Sequence, residues 1–243
     1  MLYAYCDETA HDQSDQYMFI AGMLGTESQW QTFDKQWRAA GGAGFKATNA
    51  SRVNRPKRAE KLRALAAIPY ECGLHPMLSG LRVSDYWDLV QGSDEEKRAR
   101  GWYCALRFLL FELLLFIPDT ERVIVMLDRQ VEYSECVKDL FDSVVDYPDG
   151  RFRTRDGFAK LANWGFETER DSLRTRPGEY LAYAAMQRMR DPGSERALLT
   201  KPILDPMYDM EKVGVVMSRE EIRDLMGVLY SPGAILNRKA SRT

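Results

Sequence analysis

The chain begins with an alternating run, "LYAYCDE", in which Leu2, Ala4 and Cys6 fall on one face of a strand and Tyr3, Tyr5 and Asp7 on the other. A polar stretch, "ETAHDQSDQ", separates it from a second apolar run, "YMFIAGMLG" (17–25), so the two predict a hairpin. The pattern then changes to a helical one. Thr26 and Gln29 are spaced as a capping box, Trp30, Phe33 and Trp37 line one face, and Gly41 closes the helix.

Residues 43–58, "GFKATNASRVNRPKRA", are basic and irregular and lead into a helix, "RAEKLRALAAI". "GLHPMLSGLRV" predicts a strand, followed by short helices and a long apolar helix at 101–117. "RVIVMLD" (122–128) is a continuous β-branched run that suits a central strand covered on both faces. The next helix places Tyr133, Cys136, Val137, Leu140, Phe141 and Val144 on one stripe. A short strand around "LANWGFET" precedes the polar "ERDSLRTR", and Pro177 marks the first position of the helix "PGEYLAYAAMQRM". Ser218 and Glu221 form a second capping box ahead of "REEIRDLMGVLY", and a basic tail follows. "KPILDPMYDMEKVGVV" either adds an edge strand or covers a site. The alternation of strands and helices predicts a mixed α/β domain over 1–243, with a core of about 1–195 and a C-terminal extension, 196–243.

Composition narrows the chemistry. Apolar residues at 45 % supply enough material for a folded core, and a formal charge of −2 exerts no global pull on polyanions, so any such contact must be local. Cys6, Cys72, Cys104 and Cys136 have no metal-ligand spacing, and with no secretory leader in view the expectation is free thiols in the cytoplasm. His11 and His75 stand in no zinc motif, so a metal site would have to use carboxylates and therefore Mg²⁺ or Mn²⁺. The greasiest run, 102–118, contains Arg107 and Glu112 and ends at a proline. It reads as a buried helix or a homodimer face, and no membrane association is expected.

Three acids have comparable settings. Asp7 and Asp128 end strands, and Glu179 stands in the first turn of a helix whose same-face residues, Ala182, Met186 and Met189, are apolar. Two strand-end acids and one helix acid suit a pair of divalent cations about 3.5–4 Å apart, the arrangement of phosphoryl-transfer sites. Each acid also has a purely structural reading. Asp7 can open an exposed turn, Asp128 can pair with Arg129, and Glu179 can complement the helix dipole.

The acidic blocks resemble a known family. "YAYCDETA" is similar to the N-terminal DESG-type motif of the domain-of-unknown-function family numbered three thousand eight hundred, and "YMFIAGM" to its following hydrophobic strand. "VIVMLDRQVEY" resembles its middle block and "RDSLRTRPGEYLAYA" its C-terminal one, together spanning residues 1 to about 190 in the family's order. The resemblance implies a ribonuclease H-like mixed sheet flanked by helices and a divalent-metal nuclease site. In that site Asp7, Asp128 and Glu179 would be metal ligands, Glu8 a further catalytic acid, and Asp171 and Ser172 supporting residues. Departures are evident: Thr9 and Ala10 replace the motif's last two residues, Glu179 stands for an aspartate, Arg176 is near the place of a glutamine, and Lys46 falls where a histidine is frequent.

Lys46, Arg52, Arg55, Lys57 and Arg58, with Lys61 and Arg63 beyond, form a basic strip that a nuclease would use to hold phosphates, though a solvated surface explains it equally. The leading expectation is thus a metal-dependent nuclease. Its rival is a catalytically inactive protein of the same fold that binds a partner, as in a phage or bacterial defence system, and a phosphatase or nucleotide hydrolase is a third reading.

Overall fold

The computed structural model describes residues 1–9, 16–47, 56–89, 94–128, 160–167, 173–210 and 216–223. The predicted hairpin is present: β1 (Leu2–Glu8) and β2 (Tyr17–Gly25) pair antiparallel, with Asp7 opposite Ala21 and Glu8 opposite Ile20. The capping box at Thr26 holds. Its hydroxyl accepts from the Gln29 N–H, the Gln29 side chain accepts from the Thr26 N–H, and α1 (Glu27–Ala39) buries Trp30, Phe33 and Trp37. Gly41, with φ +73°, adopts the left-handed conformation just beyond it.

α2 (Pro56–Glu71), β3 (His75–Arg82), a short α3 (Val83–Trp87) and the long α4 (Asp94–Phe116) follow, then β4 (Val123–Asp128) and β5 (Leu161–Glu167). α5 (Arg176–Arg190) starts one residue earlier than Pro177 suggested. α6 (Glu195–Leu204) and a two-residue strand, β6 (Val216–Met217), complete the described elements. β6 pairs with β3, so this part of the C-terminal extension contributes an edge strand. The second capping box is also formed, between Ser218 and Glu221. The helix expected over 133–144 and the basic tail lie outside the described residues.

One six-stranded mixed sheet, in the order β5-β4-β1-β2-β3-β6, organises the fold. β1, β4 and β5 run parallel to one another, and β2 runs antiparallel to both β1 and β3. Helices flank this sheet in a ribonuclease H-like arrangement.

The predicted alternation of β1 is visible in its packing. Ala4 and Cys6 join Val123, Val125 and Leu127 in a core under α4, whereas Tyr5 joins Phe19, Ala21 and Met23 in a second core under α1, α2 and α5. Covering both faces accounts for the continuous apolar runs of β2 and β4. The apolar face of α4 is consumed within the chain: Trp102, Leu106, Leu109 and Leu113 pack on the sheet, and Leu115 projects outward. Among the described residues no helix is long and apolar enough to cross a membrane.

Candidate active site

The parallel strands carry their acids to one end of the sheet. Cys6 pairs with Leu127, so Asp7 and Asp128 are the next residues on adjacent strands, and Asp128 in turn pairs with Glu167 at the end of β5. The faces agree as well. Met126 packs against the Tyr5 core while Leu127 packs under α4, and strand alternation returns Asp128 to the Tyr5 side with Asp7. Trp164 and Phe166 pack toward the α4 core, which leaves Glu167 on the same side as Asp128. The charge of Glu167 is felt at Tyr5. Glu8, opposite Ile20, alternates to the α4 face instead.

α5 brings Glu179 over this row because of Gly178. A Cβ at that position would lie 2.6 Å from the Ala21 carbonyl oxygen and 3.1 Å from the Asp7 backbone nitrogen. Only a glycine lets the first turn of the helix rest directly on β1 and β2. Beyond it, Tyr180, Leu181, Ala184 and Ala185 are buried. The predicted stripe below Glu179 is shorter than expected: Ala182 is buried, Met186 half-buried and Met189 exposed.

Electrostatics register the convergence. Asp7 and Glu8 are each 5 % exposed and Asp128 is 8 % exposed. Burial, followed by the charges of Glu8, Asp128 and Glu179, holds the Asp7 carboxyl well above the usual carboxylate range; the Glu8 N–H, which donates to Asp7 Oδ1 at 2.8 Å, acts in the opposite direction. The neighbouring Cys6 thiol is pushed up to about 12, mainly by burial and then by Asp7 and Glu8. Thr9, two residues beyond Asp7 on the same face, is buried, and its hydroxyl has no hydrogen-bond partner among the described residues.

Glu179 is held through both oxygens. Oε1 accepts from the Ala47 N–H at 2.9 Å, and Oε2 pairs with Arg176 Nη1 at 3.0 Å. The Ala47 contact brings the segment that begins the basic strip to the acids. Phe45 anchors that segment between Trp37 and Tyr180, at 5.5 and 5.1 Å between ring centroids, and Lys46 is half-buried beside it. Arg58 is exposed on α2, whereas Arg52, Arg55, Asp171, Ser172 and the side chain of Lys57 lie outside the described residues.

A second arginine fixes the approach to α5. Arg174 donates to both carboxylate oxygens of Glu27 at 2.9 Å, to Asp34 at 3.0 Å and to the Tyr5 hydroxyl at 3.0 Å, with its guanidinium over the Tyr5 and Trp30 rings. These contacts lower the Glu27 pKa.

Glu167, Gly178 and Arg174 are the residues that reading the sequence missed. Glu167 carried the same signal as the other two strand acids, a carboxylate closing an apolar run.

Hard oxygen donors on one face suit Mg²⁺ or Mn²⁺, and a cation there would relieve the like-charge repulsion on Asp7. Among the described residues no group of three or more His, Cys, Asp or Glu side chains is placed to hold a metal ion. A scan against protein-family models finds no match for the chain, and no curated protein matches it.

Proposed function

We propose that this chain is a divalent-cation-dependent phosphodiesterase acting on nucleic acid, with Mg²⁺ or Mn²⁺ held from the sheet by Asp7 and Asp128. The observation that carries this reading is the adjacency of two buried aspartates on parallel neighbouring strands, with Glu179 over them from α5. Nothing in a structural role requires several like charges to share a buried corner, and such clusters mark functional sites. The resemblance of the acidic blocks to a ribonuclease H-like nuclease family points the same way.

When bound, the cation would polarise the scissile phosphate and acidify an attacking water. The protein's own part is to hold its acids rigidly and to receive the phosphate backbone. Asp7 and Asp128 are fixed by the strand ladder, and Glu179 by the seating of Gly178. Lys46, with Arg58 further along the strip, supplies the positive charge that would draw phosphates toward the acids.

The test is hydrolysis of single- and double-stranded DNA and RNA with Mg²⁺ or Mn²⁺, by the natural sequence and by the Asp7→Asn, Asp128→Asn double variant. Cation-dependent loss of substrate that vanishes in the double variant supports the reading. Turnover confined to mononucleotides would instead favour a nucleotide hydrolase.

A second reading, a ribonuclease H-like protein that binds a partner without cleaving it, draws on one observation: both oxygens of Glu179 already have protein partners. Absence of both hydrolysis and cation binding would favour it.

A further inference from the structure

We propose that Glu179 is a positioning residue for substrate: its carboxylate docks the segment 45–47 on α5 and so presents Lys46, near the acid end of the sheet, to a phosphate of the nucleic-acid backbone. The inference rests on the phosphodiesterase reading and deepens it by naming a substrate contact and the group that sets it in place.

Two consecutive residues of α5 grip this segment at two points. Tyr180 packs on Phe45, with ring centroids 5.1 Å apart, and Glu179 Oε1 accepts the Ala47 N–H at 2.9 Å. On its other side Phe45 packs on Trp37 at 5.5 Å, and its N–H donates to the Gly42 carbonyl, which also accepts Trp37 Nε1, each at 2.9 Å. Phe45 and Ala47 are buried, while Lys46 between them is half-buried. The lysine is thus carried on a link held at both ends.

The polar grip is the more demanding of the two. Arg176 Nη1 stands 3.0 Å from Oε2, with the two side chains only 6 % and 14 % exposed, so each oxygen of Glu179 is engaged and the carboxylate has little freedom to turn. A backbone N–H given to a carboxylate is a charge-assisted bond, and poor screening strengthens it. Without that acceptor, the N–H of a residue that is 1 % exposed would be left to pay the cost of an unmet buried donor. The peptide bond that Glu179 holds is the one joining Lys46 to Ala47. Glu179 also borders the acid row, since its charge is felt at Asp7. A phosphate approaching those acids needs a positive group nearby, and a lysine ammonium on its four-carbon stem is suited to that contact.

Limited trypsin digestion of the full chain, with mass spectrometry of the products, reads the docking, and steady-state hydrolysis of DNA or RNA with Mn²⁺ reads its consequence. The parent should resist cleavage between Lys46 and Ala47. Glu179→Ala should be cut there more than about tenfold faster and should raise KM by more than about tenfold, a larger factor than any fall in kcat. Glu179→Gln keeps an oxygen for the Ala47 N–H and should recover most of both losses. Lys46→Gln should raise KM as well, and should add little when combined with Glu179→Ala. Unchanged protection in Glu179→Ala, a loss carried by kcat at constant KM, or a Gln variant as impaired as the Ala one, would each overturn the assignment. If Glu179→Ala does not fold, Lys46→Gln decides, and an unchanged KM there overturns it. A parent that hydrolyses no nucleic acid sinks the phosphodiesterase reading and the substrate role of Glu179 together, whereas hydrolysis indifferent to Glu179→Ala overturns the inference and leaves that reading standing.

Discussion

Gly178 rests on the backbone of Asp7: a methyl group in place of its hydrogen would meet the Asp7 nitrogen at 3.1 Å and the Ala21 carbonyl at 2.6 Å. The helix that carries Glu179 is therefore seated against the strand that carries Asp7 with no side chain between them.

Gly178→Ala should lift the first turn of α5 from the sheet. An alanine gains up to about 1 kcal/mol of helix propensity, but overpacking against backbone costs about 1–3 kcal/mol and cannot be relieved by a rotamer change. A net loss of stability in chemical denaturation, together with weaker cation binding, is the expected outcome. Unchanged stability would mean the helix is not pinned there.

Asp7 makes the cation-free protein sensitive to alkali. Its folded pKa lies above its ordinary 3.8, so its contribution to stability is fully present below that value and is lost as rising pH strips the proton from the folded state. Asp7→Asn should remove this dependence and raise the melting temperature at neutral pH in chelator by roughly 2–4 °C, the shift expected from about 1 kcal/mol in a chain of this size. Melting curves of both proteins across a pH series give the comparison. Parallel curves would argue against a strained carboxyl.

Arg174→Gln should loosen the entry to α5. The partly exposed Glu27 adds little because solvent screens it, so the loss falls mostly on the contacts to Asp34 and Tyr5, about 1–3 kcal/mol together. The pH signature has the opposite sign to that of Asp7. Glu27 has a lowered pKa, so its share is present above the ordinary 4.5 and fades as acid protonates it. The variant should accordingly show less loss of stability between neutral and mildly acidic pH than the parent.

Cys6 and Cys104 should resist alkylation. Both are buried, and both thiols are pushed up to about 12, chiefly by burial. At pH 8 almost no thiolate is present to react. Peptide mapping after iodoacetamide treatment should find both unmodified in the native protein and both labelled in denaturant. Rapid native labelling of Cys6 would show that the acid end of β1 opens readily.

Much of this fold is legible in the sequence because its signals are local. The capping box at Thr26 and Gln29, the aromatic face of α1 and the acid-terminated runs of β1 and β4 each follow from spacing over a few residues. The missing parts of the site depend on neighbours distant in sequence. "LANWGFE" is legible as a strand, but its place beside β4 is not, and a register shift between Val123 and Ile124 helps decide which face Glu167 occupies. Gly178 looks like an ordinary weak point in a helix until the Asp7 backbone is beneath it. Arg174 and Arg176 stand close together in one polar stretch, yet one clamps α1 and the other holds Glu179, a division that only tertiary structure makes.

The position of β1 in the middle of the sheet has a kinetic consequence. Its antiparallel neighbour, β2, follows at once, so β1, β2 and β3 can assemble early as a meander. Its parallel neighbour, β4, must return from far along the chain to pair Leu2 with Val123. Closing that long loop carries a larger entropic cost than closing the hairpin, and it is the pairing that sets Asp128 beside Asp7. The site therefore depends on the one pairing of β1 that is distant in sequence, and a chain in which β4 has not docked would keep the local β1–β3 pairings but have no assembled site.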